Sequence, residues 1–398
     1  MDSQGTWDVA VIGASGAGLL AAWHLARGGK RVAVFERDEP WQPARRTLII
    51  TPSLRRFLPF SVEGAVLHTT PVMGVASGNV EAEIRLKEPD LIVERGAFLR
   101  LLADQARQAG ATLCFGHRLI DMGAEDARTA TLVFHTPSRR TIEAQARAII
   151  GADGVFSQVA RLVGLRRPQA VTILQAEVML PAGWDPDRVQ VWFDRRDSRF
   201  FYWLIPESPS RGVVGLVTDL NQNIHALLTR FLDRLGGSPE AYQGARVAMY
   251  SPRLRPWGYV GNVPVYLVGD AAGQVKVTTV GGTVTGLWGG ALAARALLEN
   301  IPYSEVIAPL KQELDLHWIL RKLLDRLNNA GYETLIRALT PRVCAFLSMY
   351  TRDEMAGRFW RLALTTPALW KVFPHILRWR RRVPPQQGTA LPESSELG

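Results

Sequence analysis

Trp7-Asp-Val-Ala-Val-Ile-Gly-Ala-Ser-Gly-Ala-Gly18 is the stretch of sequence that decides the fold. Its first half has the apolar pattern of a buried strand, and Gly13 to Gly18 form a turn of small residues. Leu19 to Arg27 then show helical periodicity, and Arg31 to Phe35 form a second apolar strand that ends at Glu36. The order of strand, glycine turn, helix, strand and acid predicts a βαβ unit that binds a dinucleotide.

Each part of this unit has a chemical task. Gly13 permits the tight turn, and the small residues Ser15, Gly16 and Gly18 let the backbone approach a pyrophosphate. Serine stands at position 15, where a glycine is usual, and it is small enough to preserve that approach. The amino end of the following helix opposes the negative charge of the pyrophosphate. Glu36, eighteen positions after Gly18, can accept hydrogen bonds from both ribose hydroxyls.

Two later stretches have a related pattern. The apolar strand Val265–Val268 leads directly into Gly269-Asp270, and a helix of small residues is expected to begin near Gly281. Between the two glycine turns, Ala148 to Gly151 form another apolar strand, which is followed by Asp153-Gly154. A fixed acid, exposed amides and a helix N-terminus suit a polar, partly anionic cofactor. We therefore expect these stretches to complete the site that begins at Gly13.

The rest of the chain indicates a second sheet and a helical end. Residues 170–255 contain several strand-like stretches and one helix, at Ile224 to Leu235, and the pattern is mostly helical after Pro302. The predicted domains are a nucleotide-binding domain of residues 1–75, 94–166 and 256–301, a substrate domain of residues 76–93 and 167–255, and a C-terminal helical region of residues 302–398 with a frayed tail.

Composition excludes several classes of protein. Among the 398 residues, 47% are hydrophobic and 21% charged, which is typical of a folded globular protein. Cys114 and Cys344 are the two cysteines, so a disulfide framework is not expected and a reducing, cytoplasmic compartment is. The histidines are scattered without metal-ligand spacing, so no metal site is expected. Neither a signal peptide nor a transmembrane run is apparent.

The net charge of +10 is concentrated near the C-terminus. Arg352 to Arg382 contain eight Lys or Arg residues against two acidic ones, a net charge of +6, interleaved with aromatic and aliphatic residues. Such a segment suits an anionic membrane surface, which predicts peripheral contact with the inner face of a membrane. The alternative is a helix that packs its apolar side on the protein and solvates its arginines. Nucleic acid is not expected, because no binding motif accompanies the charge.

In combination, these motifs resemble the FAD-dependent hydroxylase-like superfamily; they are Gly13 to Gly18, Glu36, Arg95, Gly151 to Gly154, and Gly269-Asp270. Within it, Gly269 to Gly282 is similar to the geranylgeranyl reductase family, and Phe201 to Pro206 resembles that family's Tyr-x-Trp-x-Phe-Pro motif. The resemblance runs from about residue 7 to 300. It implies an α/β fold (α+β overall), with a Rossmann-like FAD-binding domain of the aromatic-hydroxylase type, an inserted antiparallel-sheet substrate domain and a helical C-terminus.

The resemblance also implies an activity and a site. The family reduces isolated carbon–carbon double bonds of isoprenoid chains by hydride transfer from reduced flavin. The implied cofactor-binding residues are Gly13, Ser15, Gly16, Gly18, Glu36, Arg37, Arg46, Thr47, Arg95, Leu119 (through its backbone), Asp153, Asp270, Gly281, Gly282 and Thr283. The implied substrate-binding residues are Phe201, Tyr202, Trp203 and Pro206. The substrate is expected to be a hydrophobic small molecule or lipid.

Several features stay open. No proton donor stands out, and a single dinucleotide-binding turn leaves NADPH, ferredoxin or a quinol as electron donor. The family's usual proline and glycine are Val277 and Val280 here. The alternative is an FAD-dependent monooxygenase or halogenase acting on a small aromatic or polyketide. Halogenases need a lysine after a glycine-rich stretch, a setting that Lys87 lacks, and aromatic hydroxylases usually carry His where this chain has Gly273. A third interpretation is a non-enzymatic scaffold at a membrane surface that retains a relic of the cofactor-binding fold.

Overall fold

The computed structural model of the chain describes residues 5–39, 41–350, 352, 353, 358, 371 and 374. The strands are β1 (Val9–Ile12), β2 (Val32–Phe35), β3 (Thr47–Ile50), β4 (Val66–Ser77), β5 (Val80–Glu94), β6 (Thr112–Cys114), β7 (Arg118–Ala124), β8 (Ala130–His135), β9 (Thr141–Ala146), β10 (Ile149–Gly151), β11 (Gln169–Met179), β12 (Arg188–Trp192), β13 (Tyr202–Pro206), β14 (Arg211–Thr218), β15 (Ala241–Met249), β16 (Trp257–Val260) and β17 (Val263–Leu267). The helices are α1 (Gly16–Arg27), α2 (Arg95–Gln108), α3 (Gln158–Leu162), α4 (Ile224–Leu235), α5 (Thr283–Glu299), α6 (Tyr303–Val306), α7 (Ala308–Leu324), α8 (Asn329–Arg337) and α9 (Pro341–Met349), with short 3-10 helices at Pro52–Arg56, Glu63–Ala65 and Gly269–Ala272.

The first sheet carries the predicted nucleotide-binding unit. Its strand order is β16-β17-β10-β1-β2-β6, and all neighbours run parallel except the edge pair β16 and β17. Every residue of β1 and β2 is buried. One face of β1, with Val9 and Val11, packs among the residues of α1 and α5, while Ala10 and Ile12 pack against β7, β8 and α3. Coverage of both faces explains why these strands are continuously apolar.

The second sheet has eight strands in the order β15-β11-β14-β13-β12-β4-β5-β3. Its pairs are antiparallel except β12 with β4. One face packs on α4, and the other contributes Trp203 to a cluster that contains Val275 and Val280 of the loop after β17. The predicted boundary at residue 76 falls within β4, so the division into domains stays a prediction.

The expected fold class is confirmed. The βαβ order, the inserted sheet of mainly antiparallel strands and the helices α6 to α9 agree with it. The helix expected over residues 224–235 is α4. The basic segment predicted over residues 352–382 lies almost entirely outside the described residues. Among the helices that the structure describes, none is long and apolar enough to cross a membrane.

Candidate active site

The glycine turn after β1 requires glycine at two positions. Gly13 has φ of 100°, and a Cβ there would lie 2.6 Å from the backbone oxygen of Ala152. A Cβ on Gly18 would lie 2.5 Å from the backbone oxygen of Gly13. At Gly16 the nearest atom to an added Cβ is 3.6 Å away, on Leu102. Gly13 and Gly18 are therefore sterically required, whereas Gly16 has room for a methyl group.

Ser15 and Glu36 complete this end of the site. Ser15 caps α1 in an extended conformation, and its Oγ accepts a hydrogen bond of 3.3 Å from the N–H of Gly18. The Glu36 carboxylate accepts hydrogen bonds from the N–H groups of Ala14 at 2.8 Å and Asp38 at 3.2 Å. The structure thus places Glu36, at the end of β2, beside the glycine turn, and the N–H of Ala14 in that turn binds one oxygen of its carboxylate.

The connection from β6 to β7 contacts the backbone of Glu36. The N–H of His117 donates to the backbone oxygen of Glu36 at 2.8 Å, which brings the start of β7 to this point. Leu119 is buried in β7 and pairs with Phe134. Arg37 differs from its neighbours, because its side chain is 69% exposed and lies 3.6 Å from Asp38. The structure therefore keeps Leu119 close to Glu36 and leaves Arg37 at the surface.

Arg46, Arg95 and Asp270 come together although they are far apart in sequence. The backbone oxygen of Arg46 accepts from the N–H of Arg95 at 2.9 Å. Burial, with a contribution from Arg95, lowers the pKa of Arg46 to about 10, and Asp270 opposes the shift. Among the described residues, the Arg46 guanidinium has no hydrogen-bond or ion-pair partner. Arg46 is half-buried, and a partly desolvated cation without a partner is suited to an anionic ligand.

Asp270 occupies the point where β17 meets the second glycine-rich loop. Burial raises its pKa, whereas the N–H of Ala248 and the two arginines, Arg46 and Arg95, lower it. One carboxylate oxygen accepts from the N–H of Ala248 at 3.2 Å. A Cβ on Gly282 would lie 3.5 Å from the other oxygen. Asp270 therefore lies between the arginines and the start of α5.

The amino end of α5 is available for a ligand. Gly282 is its N-cap, no side chain caps it, and the first helical bond runs from Gly286 N–H to the Gly282 oxygen at 2.8 Å. Thr283 therefore begins the helix with an N–H that is free of intrahelical bonding. Just before it, the Gly281 oxygen accepts from the N–H of Lys276 at 3.1 Å, which closes the loop. Free amides and the helix dipole stabilise negative charge at this place.

Small residues bring α5 against the start of α1. A Cβ on Gly290 would lie 2.2 Å from the backbone oxygen of Ala17, and one on Gly286 would lie 3.4 Å from the Cα of Gly269. Larger side chains would push the second glycine-rich loop away from the first turn of α1. The small-residue pattern of α5 thus sets the distance between the two halves of the site.

Two of the predicted cofactor residues have their polar atoms engaged within the chain. The Thr47 hydroxyl donates to Glu207, and its N–H donates to the Gln243 side chain at 2.9 Å. The Asp153 carboxylate accepts from the Ser157 hydroxyl and from the N–H of Gln158, each at 2.6 Å, and so caps α3. The structure does not bring these side chains into the group formed by Arg46, Arg95 and Asp270.

The aromatic strand presents different residues to its two faces. Trp203 packs in the cluster that contains Val275 and Val280, and Phe201 packs against the same cluster. Tyr202 points the other way, where it stacks on Phe231 of α4 at a ring distance of 4.1 Å. Alternation along a strand accounts for the split. Phe201 and Trp203 therefore face the glycine-rich loop of residues 268–282 between β17 and α5, which we call the cofactor loop. Tyr202 faces away from it.

Pro206 ends β13 away from this loop. It is buried and pairs with Gly212 of β14, and a Cβ on Gly212 would lie 3.1 Å from the Pro206 Cα. The position is determined by packing between the two strands. The structure therefore separates Pro206 from Trp203 by the length of the strand between them.

A buried ion pair in the cofactor loop had no signal in the sequence. Lys276 pairs with Asp353, and their side chains are 6% and 3% exposed. The second Asp353 oxygen accepts from the hydroxyls of Thr51 and, at 2.9 Å, Ser53. Burial raises the pKa of Asp353, but Lys276 and these hydroxyls lower it more, to about 2. Neither residue has a motif around it that predicts the other, because 76 residues separate them.

A buried histidine holds the next turn of the same loop. His317 of α7 is 3% exposed, and its Nδ1 lies 2.6 Å from the Thr278 hydroxyl. Its Nε2 lies 3.1 Å from the backbone oxygen of Arg352 and 3.4 Å from Glu313. The loop between β17 and α5 is thus held by side chains from the C-terminal region.

The residues present fit FAD. The two required glycines, Glu36, the unpartnered Arg46 guanidinium and the free amino end of α5 match a ligand with a ribose, a pyrophosphate and a polar ring edge. Gly13 and Gly18 leave the backbone bare where a pyrophosphate would approach. Arg46 supplies the charge that such a group needs.

Comparison with known proteins supports FAD as the cofactor. A family model described as an FAD binding domain matches residues 6–251. Digeranylgeranylglycerophospholipid reductase 2 of Methanothermobacter thermautotrophicus is 26% identical over 358 residues, which cover 84% of this chain and 91% of that protein. Geranylgeranyl diphosphate reductase of Rhodobacter capsulatus is 27% identical over 298 residues, which cover 73% of this chain and 75% of that protein.

Solved structures share the fold. A geranylgeranyl bacteriochlorophyll reductase-like protein from Thermoplasma acidophilum superposes with a TM-score of 0.74 at 19% identity, covering 94% of this chain and 98% of the other. The flavin-dependent brominase Bmp2 superposes with a TM-score of 0.64 at 15% identity, covering 95% and 100% of the two chains. At these identities the likeness is one of fold, and it includes both reductase-like and halogenating proteins.

Proposed function

Because this chain belongs to the FAD binding domain family, which confirms the expected cofactor and the oxidoreductase class, we propose that it saturates carbon–carbon double bonds of a prenyl or isoprenoid lipid. The names of the curated relatives support the substrate class, since they are reductases of geranylgeranyl compounds. The expected resemblance to geranylgeranyl reductases is confirmed by the same relatives.

The polar half of the site holds the cofactor. Arg46 and Arg95 would neutralise the pyrophosphate, Asp270 would accept from a ribityl hydroxyl, and Glu36 would accept from the adenosine ribose. The amides at Gly282 and Thr283 would stabilise the negative charge that the flavin ring gains on reduction. When bound, reduced FAD would supply a hydride to one alkene carbon and become oxidised, while water or an acid supplies a proton to the other carbon.

One observation carries the choice of an apolar substrate: the wall that Trp203 and Phe201 form against Val275 and Val280. These side chains offer no charge and almost no polar atoms beside the cofactor loop. The indole N–H of Trp203 is turned to Gln175, which accepts it at 3.3 Å. An isolated alkene is poorly activated, so holding it in line and excluding water supplies much of the catalysis.

Anaerobic turnover tests the proposal. Enzyme reduced with dithionite, which removes the need for a natural donor, is incubated with prenyl diphosphates and prenylated lipids, and products are weighed by mass spectrometry. We expect a gain of two hydrogens per reduced bond. Trp203→Ala is expected to lower the rate, while Tyr202→Phe, on the opposite face, leaves it near that of the wild type.

The alternative chemistry gives a different result in the same system. Absence of any mass gain across the lipid set would contradict the proposal. Substrate-coupled oxygen consumption with an oxygenated product would instead identify a monooxygenase, and a halogenated product a halogenase. Lys87, the lysine considered for a halogenase, is exposed on β5, which does not favour that reading.

We also propose that the basic segment from Arg352 to Arg382 brings the enzyme to an anionic membrane, where its lipid substrate is found. The support is the sequence alone: a net charge of +6 interleaved with aromatic residues. Co-sedimentation with vesicles that contain phosphatidylserine measures this contact. Equal recovery with neutral vesicles would contradict it.

A further inference from the structure

Three arginines meet beside the aromatic strand, outside the cofactor site. Arg199 binds Asp219 through two nitrogens at 2.9 to 3.1 Å, and it also reaches Asp325 at 3.1 Å. Arg321 of α7 lies 2.9 Å from the same Asp325. The guanidinium of Arg195 donates to the backbone oxygen of Asp325 at 3.2 Å, and no hydrogen bond joins it to a carboxylate of the described residues. Three guanidinium groups therefore share two carboxylates, which leaves an excess of one positive charge.

Neighbouring acids do not remove this excess. Asp194, which precedes Arg195, is held at 2.7 Å by Arg196 and lies 3.9 Å from Arg234. Asp197 is paired with Arg230 at 3.1 Å and with Arg234 at 3.4 Å. Each of these carboxylates thus has cationic partners of its own. The net charge of the cluster formed by Arg195, Arg199 and Arg321 stays positive.

Three buried donor atoms in the cluster have no hydrogen-bond partner within the part of the chain that the structure describes. One is the Nε of Arg321, which lies 2.9 Å from the equally unsatisfied Oδ1 of Asp325 without forming a hydrogen bond. The other two are the Nη1 atoms of Arg195 and Arg321. Arg321 is 3% exposed, so its donors cannot be satisfied by bulk water. Buried donors of charged groups normally have a hydrogen-bond partner, because burying such a donor without one costs free energy. An acceptor with several oxygens would relieve them.

A row of aromatic side chains joins this cluster to the cofactor loop. Trp203, which packs with Val280, is 6.0 Å from Phe201 between ring centres. Phe201 is 6.1 Å from Phe193, and Phe193 stacks on Tyr332 at 4.5 Å. The Tyr332 hydroxyl accepts from Arg321 at 3.2 Å. The row is apolar along its length and ends at positive charge.

We propose that the cluster of Arg195, Arg199 and Arg321 binds the phosphate head group of the prenyl lipid, while the prenyl chain lies along the aromatic row toward the cofactor loop. This rests on the proposed function. Guanidinium groups match phosphate oxygens in geometry as well as charge. Arg195 and Arg199 are half-buried, so a head group can approach them from solvent.

The test compares a charged and an uncharged substrate with the same chain. Geranylgeranyl diphosphate and geranylgeraniol are offered to the FAD-loaded wild type, to Arg195→Gln and to Arg195→Lys. Losing one charge-assisted contact is expected to raise KM for the diphosphate about tenfold in Arg195→Gln, with little change in kcat or in KM for the alcohol. Arg195→Lys keeps the charge, so its KM for the diphosphate is expected to lie between those of the wild type and Arg195→Gln.

Arg107→Gln is the matched control, since Arg107 of α2 is 57% exposed and pairs with Asp104, outside the cluster. Its KM for the diphosphate should equal that of the wild type. Equal KM values for diphosphate and alcohol in the wild type, or an unchanged KM in Arg195→Gln, would overturn the proposal. Bound flavin and the unfolding midpoint show that the variants are folded.

A binding measurement separates this proposal from the proposed function. Geranylgeranyl diphosphate and inorganic pyrophosphate are titrated into oxidised enzyme by calorimetry, where no reduction is needed. Tight binding of the diphosphate that weakens in Arg195→Gln supports the head-group site even if no alkene is reduced. Binding that is the same in both proteins refutes the site even if reduction occurs. Pyrophosphate that binds as tightly as the lipid would also refute it, because the aromatic row would then contribute nothing.

Discussion

Replacing Asp353 by asparagine leaves Lys276 buried without its counter-charge. The pair joins the C-terminal region to the cofactor loop, and the side chains are 3% and 6% exposed. Removing one partner of a buried ion pair costs about 3–5 kcal/mol, because the remaining charge is neither hydrated nor paired. Asparagine keeps an acceptor for the hydroxyls of Thr51 and Ser53, so we expect a loss near the lower end, about 3 kcal/mol.

The same carboxylate gives the effect a pH dependence. Its pKa is lowered from 3.8 to about 2 in the folded protein. A depressed folded pKa stabilises the fold at pH values above the unfolded pKa, and that contribution is lost as the pH falls from about 4 to 2. The lowered pKa corresponds to about 2–3 kcal/mol of stability, of the same order as the effect of the substitution. The stability gap between wild type and Asp353→Asn should therefore narrow below pH 4.

Urea unfolding followed by tryptophan fluorescence measures the gap, with FAD in the same excess throughout because bound ligand adds stability. Asp104→Asn is the control, since Asp104 pairs with Arg107 on the surface and should cost under about 1 kcal/mol. The double variant Asp353→Asn, Lys276→Met should recover part of the loss. The reasoning would be refuted if Asp353→Asn lost no more stability than Asp104→Asn. It would also be refuted if the double variant lost more stability than Asp353→Asn and Lys276→Met lose in sum.

Two further predictions concern the first glycine turn. Gly18→Ala should abolish FAD binding, because its Cβ would lie 2.5 Å from the Gly13 oxygen, whereas Gly16→Ala should retain bound flavin because the nearest atom is 3.6 Å away; equal flavin content in the two purified variants would contradict this. Glu36→Gln should weaken FAD binding about tenfold, as expected for losing a charged acceptor of ribose hydroxyls. Fluorescence titration with FAD measures it, and Glu143→Gln on exposed β9 is the control that should leave the Kd unchanged.

Structural features that depend on residues close together in the sequence could be predicted from it. Gly13 to Gly18 and Glu36 are close in sequence, so spacing alone predicts their proximity. The orientation of the side chains from Phe201 to Trp203 was also predictable from local sequence, but all three were assigned to the substrate. A strand alternates its faces, so the pattern already implied that Tyr202 and Trp203 point in opposite directions.

Other features depend on pairings that no local pattern encodes. β3 pairs with β5, and β4 pairs with β12, across long stretches of sequence, which places residues before 76 in the large sheet. Asp353 meets Lys276 only because α7 and the chain after it return to the cofactor loop. Val280, recognised in the sequence as a departure from glycine, has φ of 53°, a conformation that β-branched residues rarely adopt. The sequence showed the substitution but not the backbone that makes it costly.

The close contact of α5 with the start of α1 has a consequence for the newly made chain. Gly290 touches Ala17 across about 270 residues of sequence, and β1 lies between a strand made early and one made much later. At translation speeds of about 5–20 residues per second, the first turn leaves the ribosome roughly 15 to 50 s before its partner helix. During that interval, the apolar side of α1 has no α5 to cover it. The cofactor can be captured firmly only late in synthesis, so the nascent N-terminal half is the part that most needs protection from aggregation.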